Sequence, residues 1–531
     1  MLAIRALFLR SRRCHHHGCL AMSTIASTDR RPIKAQREQL FASRSLQPYP
    51  RYTPPPADSP LQSPSQLHER WSEHMEPGAK RPDIQVTVQG RVRSRREASK
   101  KLFFYDVEQG AHAIQVVASQ QRCTDTEDEF LARNRVLAAG DIVRATGYVG
   151  KTNSGETSVF ATGCLDMLAP CLRTIPMRSG LVDTQTRFRN RALDLLVNGS
   201  CALRVRARVL RFIREFLEER QFIEVETPIL SPSVGGASAR PFVTQSAAAF
   251  GDTPLFLRVA PELYLKQLVI GGLDRVYELG RQFRNEGVDA DHNPEFTTCE
   301  FYMAYATLDD LTAITEEMLR AMALYITGSC VVNVAAPNGD LLAIDFAASF
   351  RRIDVTAALR EAVPELPVDL NDPNALPLIA TALAACGISC AQPHTVPRLL
   401  DHLIGHYIEP QCTQPTFLMN HPSVMSPLAK SYEGVSARFE LFVNGKEFVN
   451  AYEELNDPNE QRTRFALQAA DREAGDLEVP PFDQDFCDAL EFALPPTAGW
   501  GMGIDRVVAL LAGARHLRET IAFPIMRPDS K

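Results

Sequence analysis

Nowhere along the 531 residues do apolar side chains run unbroken to the roughly 18 that a membrane-spanning helix needs, so no membrane is expected. Cysteine occurs twelve times without forming a framework. Cys386 and Cys390 stand four apart, but no second pair and no histidine cluster completes a zinc set, which leaves free thiols in a reducing compartment. The Gly-x4-Gly-Lys-Ser/Thr loop is missing, which excludes nucleotide binding by the fold built on it. Bulk positive charge is missing too. With 57 basic and 64 acidic residues the net charge is −7, so any nucleic-acid partner must meet a local basic surface.

Acid is absent from the start of the chain. Met1 to Thr28 contains no Asp or Glu, while Arg5, Arg10, Arg12 and Arg13 sit among Leu2, Ile4, Leu7, Phe8 and Leu9. An Arg-rich, acid-free, partly amphipathic beginning reads as a mitochondrial targeting leader over residues 1–45, sending the protein to the matrix. Initiation at Met22 would shorten that leader and leave a cytosolic fraction. Residues 46–82 carry the run Thr53-Pro-Pro-Pro-Ala57 with Pro60, Pro64 and Pro77, a proline density that predicts a linker.

From Ile84 short alternating segments appear at Ile84–Val88, Leu102–Val107, Ile114–Val117 and Ile142–Val149, punctuated by glycine. They predict a small β-barrel over 83–172. The larger part, 180–531, begins helically: Leu203, Leu210, Ile213, Phe216 and Leu217 recur every three to four residues. Strands are expected at Leu255–Val259, Val276–Phe283, Phe296–Tyr305, Phe439–Val443 and Glu447–Tyr452, with helices around 308–326 and 375–386. Asn444-Gly445 is a strong hairpin signal. The fold class is therefore α+β: a barrel, then an antiparallel sheet wrapped by helices.

Three stretches carry groups suited to phosphate, carboxylate or ammonium. The first runs from Arg281-Gln-Phe-Arg284-Asn-Glu286 through His292-Asn293-Pro-Glu-Phe296, and alternation then puts Glu300 and Tyr302 on one strand face. An acid beside a phenol suits an ammonium group; a solvated face is the alternative, which so apolar a run around Glu300 disfavours. The second is Glu440 to Glu447 around the expected turn. A two-residue turn sets Glu440 opposite Val449 and diagonal to Glu447, roughly 7–8 Å apart. Such a pair suits Mg²⁺ on nucleotide phosphates, yet acid pairs are also common on exposed hairpins. The third, Gly499-Trp-Gly501-Met-Gly503-Ile-Asp-Arg506, clears one strand face for a flat ligand.

In this order the stretches resemble the signature motifs of class II aminoacyl-tRNA synthetases, in their lysine-specific form. Gly235-Gly-Ala-Ser-Ala-Arg-Pro-Phe242, Arg258-Val-Ala-Pro-Glu-Leu-Tyr-Leu-Lys266, Phe283-Arg-Asn-Glu-Gly287 and Gly503-Ile-Asp-Arg506 carry the resemblance. It implies ATP-dependent activation of L-lysine and its transfer to the 3′ end of tRNA(Lys), here for mitochondrial translation. Arg284 and Arg506 would be catalytic, Arg284 bridging the lysine carboxylate and the ATP α-phosphate. Glu286, His292 and Asn293 would contact the nucleotide, and Phe296 and Arg506 would sandwich adenine. Glu440 and Glu447 would hold Mg²⁺. Gly236 and Glu262 would receive the α-ammonium, with Glu300, Tyr302, Asn450 and Glu454 around the side chain. Strict alternation sets Asn450 and Glu454 on the face opposite Glu447, so a bulge or strong twist is required.

The resemblance also makes the barrel an OB-fold that binds the anticodon, with Arg96, Phe104 and Gln115 as readers. Arg91, Arg93, Arg95, Arg96 and Lys100 beside aromatic residues supply charge and stacking surfaces for a single-stranded loop. A homodimer is implied, with its interface around Thr227-Pro228. Val449, Ala451 and Glu453 stand where the family has glycine, glycine and serine, which bears on the pocket's shape. Two rival readings share the scaffold: a degenerate synthetase that only binds tRNA, and a ligase that modifies a protein. The presence of Arg284, Glu440, Glu447 and Arg506 weighs against the first, and the barrel against the second.

Overall fold

Alternation of apolar and polar residues in the first 180 residues produces a closed barrel of five strands with a sixth paired beside it. The computed structural model describes residues 33–44, 46–176, 180–335, 340–367 and 369–527. The acid-free stretch and Met22 lie outside the described residues. Strands β1 (Lys80–Ser99), β2 (Leu102–Gln109), β3 (His112–Ser119), β4 (Ile142–Lys151), β5 (Thr157–Ala161) and β6 (Asp166–Ala169) run in the order β1-β2-β3-β5-β4-β6. An added β1–β4 pairing closes the barrel. Val88, Phe103, Tyr105, Val107 and Val159 fill it. β5 was not visible as a strand in the sequence, and β1 is far longer than Ile84–Val88.

Two stretches hold helices that the sequence reading did not expect. The expected linker holds a helix, and a second helix precedes it. That earlier helix, α1 (Ile33–Ser43), lies in the last third of the expected leader but docks on the barrel: Arg37 donates to both carboxylate oxygens of buried Asp141, at 2.9 Å each, and Phe41 is buried. Within the proline-rich stretch, α2 (Pro64–Trp71) starts at a Ser63 capping box closed by Gln66 and sends Leu67 and Trp71 into the barrel core. Proline is well tolerated in the first turn of a helix, so Pro64 opens α2 rather than forbidding it.

The second unit, residues 181–531, is built on a sheet of eight strands among the described residues. These are β7 (Ile223–Glu224), β8 (Arg275–Phe283), β9 (Glu295–Ala304), β10 (Arg351–Asp354), β11 (Thr416–Met419), β12 (Arg438–Val443), β13 (Lys446–Glu453) and β14 (Thr497–Gly503). Their order is β10-β11-β12-β13-β14-β9-β8-β7. The pairs at the two edges are parallel and the rest antiparallel. One sheet face packs against α3 (Cys201–Glu218) and α4 (Leu308–Thr327). There Phe301 stacks on Trp500 at 4.7 Å, and the Trp500 Nε1 donates to Thr315 Oγ1 of α4 at 2.8 Å. No helix among the described residues is long and apolar enough to cross a membrane.

The hairpin β12–β13 turns at Asn444-Gly445, both in the left-handed region with φ of 54° and 68°, the backbone of a two-residue primed turn. Its pairing differs from the simple register. Phe442 pairs with Glu447 but Leu441 with Val449, so Phe448 is an extra residue. Glu440 consequently faces Asn450 rather than Val449. This bulge is the device that brings Glu447 and Asn450 to one face.

Candidate active site

The face of the sheet away from the Trp500 core forms the floor of a cavity of about 830 Å³. Its wall includes Gly236, Glu262, Arg284, Glu286, His292, Asn293, Phe296, Glu300, Tyr302, Glu440, Glu447, Asn450 and Arg506, drawn from five separate parts of the sequence. Alternation explains the selection: on β9, Glu300 and Tyr302 face the cavity while Phe301 enters the core. Gly236, at φ +86°, lets its loop approach the helix α5 (Glu262–Ile270); a Cβ there would lie 2.9 Å from that of Glu262. At Gly499 a Cβ would meet Glu454 Oε1 at 2.0 Å and the Tyr302 ring at 2.6 Å.

Arg284 has its Nε buried with no hydrogen-bond partner among the described residues, and its guanidinium lies over the Phe296 ring at 5.1 Å. Arg506 instead donates to the Glu447 carbonyl at 2.6 Å and lies 3.4 Å from its carboxylate. Phe296 and Arg506 both line the cavity, and Arg284 covers one face of the Phe296 ring. His292 Nδ1 is 2.9 Å from Asp289, and the Asn293 amide donates to the Glu295 carbonyl.

The carboxylates divide by environment. Burial pushes the Glu300 carboxyl up to about 8, with Glu262 adding to it and Arg284 opposing. Burial also pushes Glu440 up, but Arg438 and then His421 overcome it and hold the group at about 2. Arg438 contacts one Glu440 oxygen and His421 the other, the latter at 3.2 Å. Glu447 is raised by burial and then by Glu440. Two hard oxygen donors that repel each other fit a divalent cation such as Mg²⁺. Arg438 and His421 were missed by sequence reasoning, since neither belongs to a motif there.

Glu454 is the one expected lysine-binding residue that the cavity wall does not include. It is fully buried behind Gly499, in contact with the ammonium of Lys266. The three departures from the family pattern also fall away from the cavity. Val449 and Ala451 point into the Trp500 core, and Glu453 accepts from Leu308 N at the start of α4 and from the Tyr432 hydroxyl.

On the barrel, Phe103 is buried and Phe104 half-buried on the outer face, where the Arg96 guanidinium lies over its ring at 4.4 Å. Arg96 pairs directly with Phe104 across β1–β2. Gln115 donates to Glu156 at 2.7 Å and accepts from Ser158 at 3.1 Å. Elsewhere on the barrel Cys123 and Cys164 have their Sγ atoms 3.7 Å apart beside Asp125, a meeting that sequence spacing does not reveal.

An antiparallel sheet carrying such a cavity defines a class of enzyme, and comparison with known proteins agrees. Residues 183–527 match the tRNA synthetases of class II (D, K and N), and 86–166 match the OB-fold nucleic acid binding domain. The chain belongs to the class II aminoacyl-tRNA synthetases and, within them, to the lysine--tRNA ligases. It is 44% identical over 466 residues to a lysine--tRNA ligase of Cladosporium cladosporioides, covering 85% of this chain and 77% of that protein. A probable cytoplasmic lysine--tRNA ligase of Encephalitozoon cuniculi is 45% identical, with 84% and 88% covered. A mitochondrial lysine--tRNA ligase of Schizosaccharomyces pombe is 42% identical, with 84% of each chain covered.

Proposed function

We propose that the cavity activates L-lysine with ATP and passes the lysyl group to tRNA(Lys). A lysine carboxylate oxygen attacks the α-phosphorus and pyrophosphate leaves; a hydroxyl of the tRNA 3′-terminal ribose then attacks the lysyl carbonyl and AMP leaves. The observation that carries this reading is Arg284, whose buried, unpartnered Nε lines a cavity that also holds Glu262 and Glu300. A cation there neutralises the charge that develops between carboxylate and phosphate, and no general base is needed. Glu262, Glu300 and Tyr302 suit ammonium groups. Glu286, His292, Asn293, Phe296 and Arg506 line the part of the cavity suited to a nucleotide. Glu440 and Glu447 would hold Mg²⁺, which would supply charge neutralisation at the outer phosphates.

Arg96, Phe104 and Gln115 present a cation, a ring and an amide on one barrel face, a surface suited to unpaired bases. A homodimer is part of the proposal: Ile223, Ile229 and Leu230, around Thr227-Pro228, remain exposed. The acid-free start supports action in the mitochondrial matrix, with some protein in the cytosol if synthesis begins at Met22. Charging of a tRNA(Lys) transcript with lysine and ATP tests the assignment. Failure to charge by a folded protein that still forms lysyl-adenylate would overturn the tRNA half alone.

A further inference from the structure

Three carboxylates and one ammonium meet at one wall of the cavity, with Glu262 and Glu300 lining it and Glu454 and Lys266 buried behind them. Lys266 lies one helical turn after Glu262 on α5, and its side chain is 0% exposed. Its Nζ donates to Glu262 Oε1 at 2.6 Å and touches Glu454, itself 0% exposed. The Tyr452 hydroxyl also donates to Glu262 Oε1, at 2.6 Å. Rings of Tyr452 and Phe486 flank the ammonium, with centroids 5.7 and 5.6 Å away. Glu300 is the third acid, and Tyr302 closes the corner.

An ammonium this deep is costly unless paired, and here two acids share it. Burial opposes the charged form of Lys266, but Glu262 and Glu454 outweigh burial and hold it protonated. Neither Glu262 nor Glu454 is free to turn while the shared ammonium stays in place. Glu454 Oε1 has no hydrogen-bond partner among the described residues, and Gly499 leaves room for it beside Tyr302.

Resting on the reading of this cavity as the lysine site, we propose that Lys266 is a positioning residue that sets the charge the substrate must bring. With lysine bound, the Lys266 ammonium cancels one of three carboxylate charges and fixes Glu262 and Glu454, and the α- and ε-ammonium groups of lysine cancel the other two; without lysine, burial favours the protonated forms of Glu300 and Glu454. The corner thereby selects a diamino acid by charge count as well as by shape. A monoamino acid of the same length leaves one buried carboxylate unbalanced.

The test is lysine-dependent ATP–pyrophosphate exchange by the full chain and its Lys266→Met variant from pH 6 to 9, with thermal denaturation of each. The groups facing Lys266 and Glu300 here are Glu262, Glu278, Glu454, Tyr302, Tyr452 and Arg284. Without the ammonium the carboxylates ionise less readily. The variant should therefore show a lysine KM about 10- to 100-fold higher. Its KM–pH profile should also move to higher pH, with ATP KM little changed. A folded K266M protein with wild-type lysine KM and pH profile would overturn the proposal. If K266M does not fold, adding Glu454→Gln removes the unbalanced charge and should restore the fold while lysine KM stays raised. A double variant that stays unfolded would show that Lys266 only packs, and would equally overturn it. Absence of lysine-dependent exchange in the wild-type protein would instead strike the function reading itself.

Discussion

Glu440 and Asn450 stand directly opposite each other across β12 and β13, one residue away from the pairing that the Asn444-Gly445 turn alone would set. The extra residue, Phe448, turns Glu447 and Asn450 to the cavity and sends Val449 and Ala451 into the core. The residues of this strand that differ from the family's glycines therefore serve packing.

Replacing them with the family's residues tests that placement. Val449→Gly should destabilise the protein by about 2–4 kcal/mol through the lost buried side chain and the flexible backbone. Lysine KM should stay within about twofold, because the cavity wall does not include the position. A lysine KM shifted tenfold in the folded variant would put Val449 at the pocket after all.

Arg284→Ala should abolish lysyl-adenylate formation while leaving the fold intact. It removes a charge required chiefly in the transition state, a loss worth several kcal/mol. Circular dichroism and single-turnover adenylate assays read the two halves. Near-normal adenylate formation by the folded variant would remove Arg284 from the chemistry.

Lysine affinity should depend on the Glu300 carboxyl, which burial and then Glu262 push up to about 8. Only the ionised form pairs with an ammonium, so lysine KM should fall as pH rises from 6.5 to 8.5. Folding carries the opposite sign. A carboxyl raised in the folded state binds more protons folded than unfolded. Its contribution is fully present below the ordinary carboxylate range and is lost as pH rises through about 8. Glu300→Gln should raise lysine KM and flatten its pH dependence. A KM that falls with pH just as steeply in that variant would assign the titration to another group.

Much of this was readable from residues alone. Alternation along Phe296–Tyr305 separated Glu300 and Tyr302 from Phe301 because one face of β9 is buried against Trp500 and the other is not. The hairpin was legible because asparagine followed by glycine favours two left-handed residues in succession. The bulge was needed but could not be located, since Phe448 and Val449 are both apolar and either could have been the unpaired residue. The pairing of Lys266 with Glu454 was hidden for another reason. It joins a helix to the end of a strand nearly two hundred residues later, and no local pattern records it. The helix α2 was masked by prolines that belong to its flanks and first turn.

Phe104→Ala should separate tRNA recognition from activation. The ring is half-buried on the outer barrel face while Phe103 fills the core, so its loss should spare stability. One lost base stack is worth about 1–3 kcal/mol, or roughly five- to more than a hundredfold in tRNA-dependent rate. Lysine-dependent exchange should be unchanged. A fully active Phe104→Ala protein would move the anticodon contact to another ring.

The most direct measurement of the central claim is ATP–pyrophosphate exchange by the wild-type chain with each of the twenty amino acids in turn. Three acids at one corner, two of them sharing an internal ammonium, predict strong exchange with lysine and little with any other. Exchange driven by aspartate or asparagine, or none with lysine in a folded protein, would contradict the account.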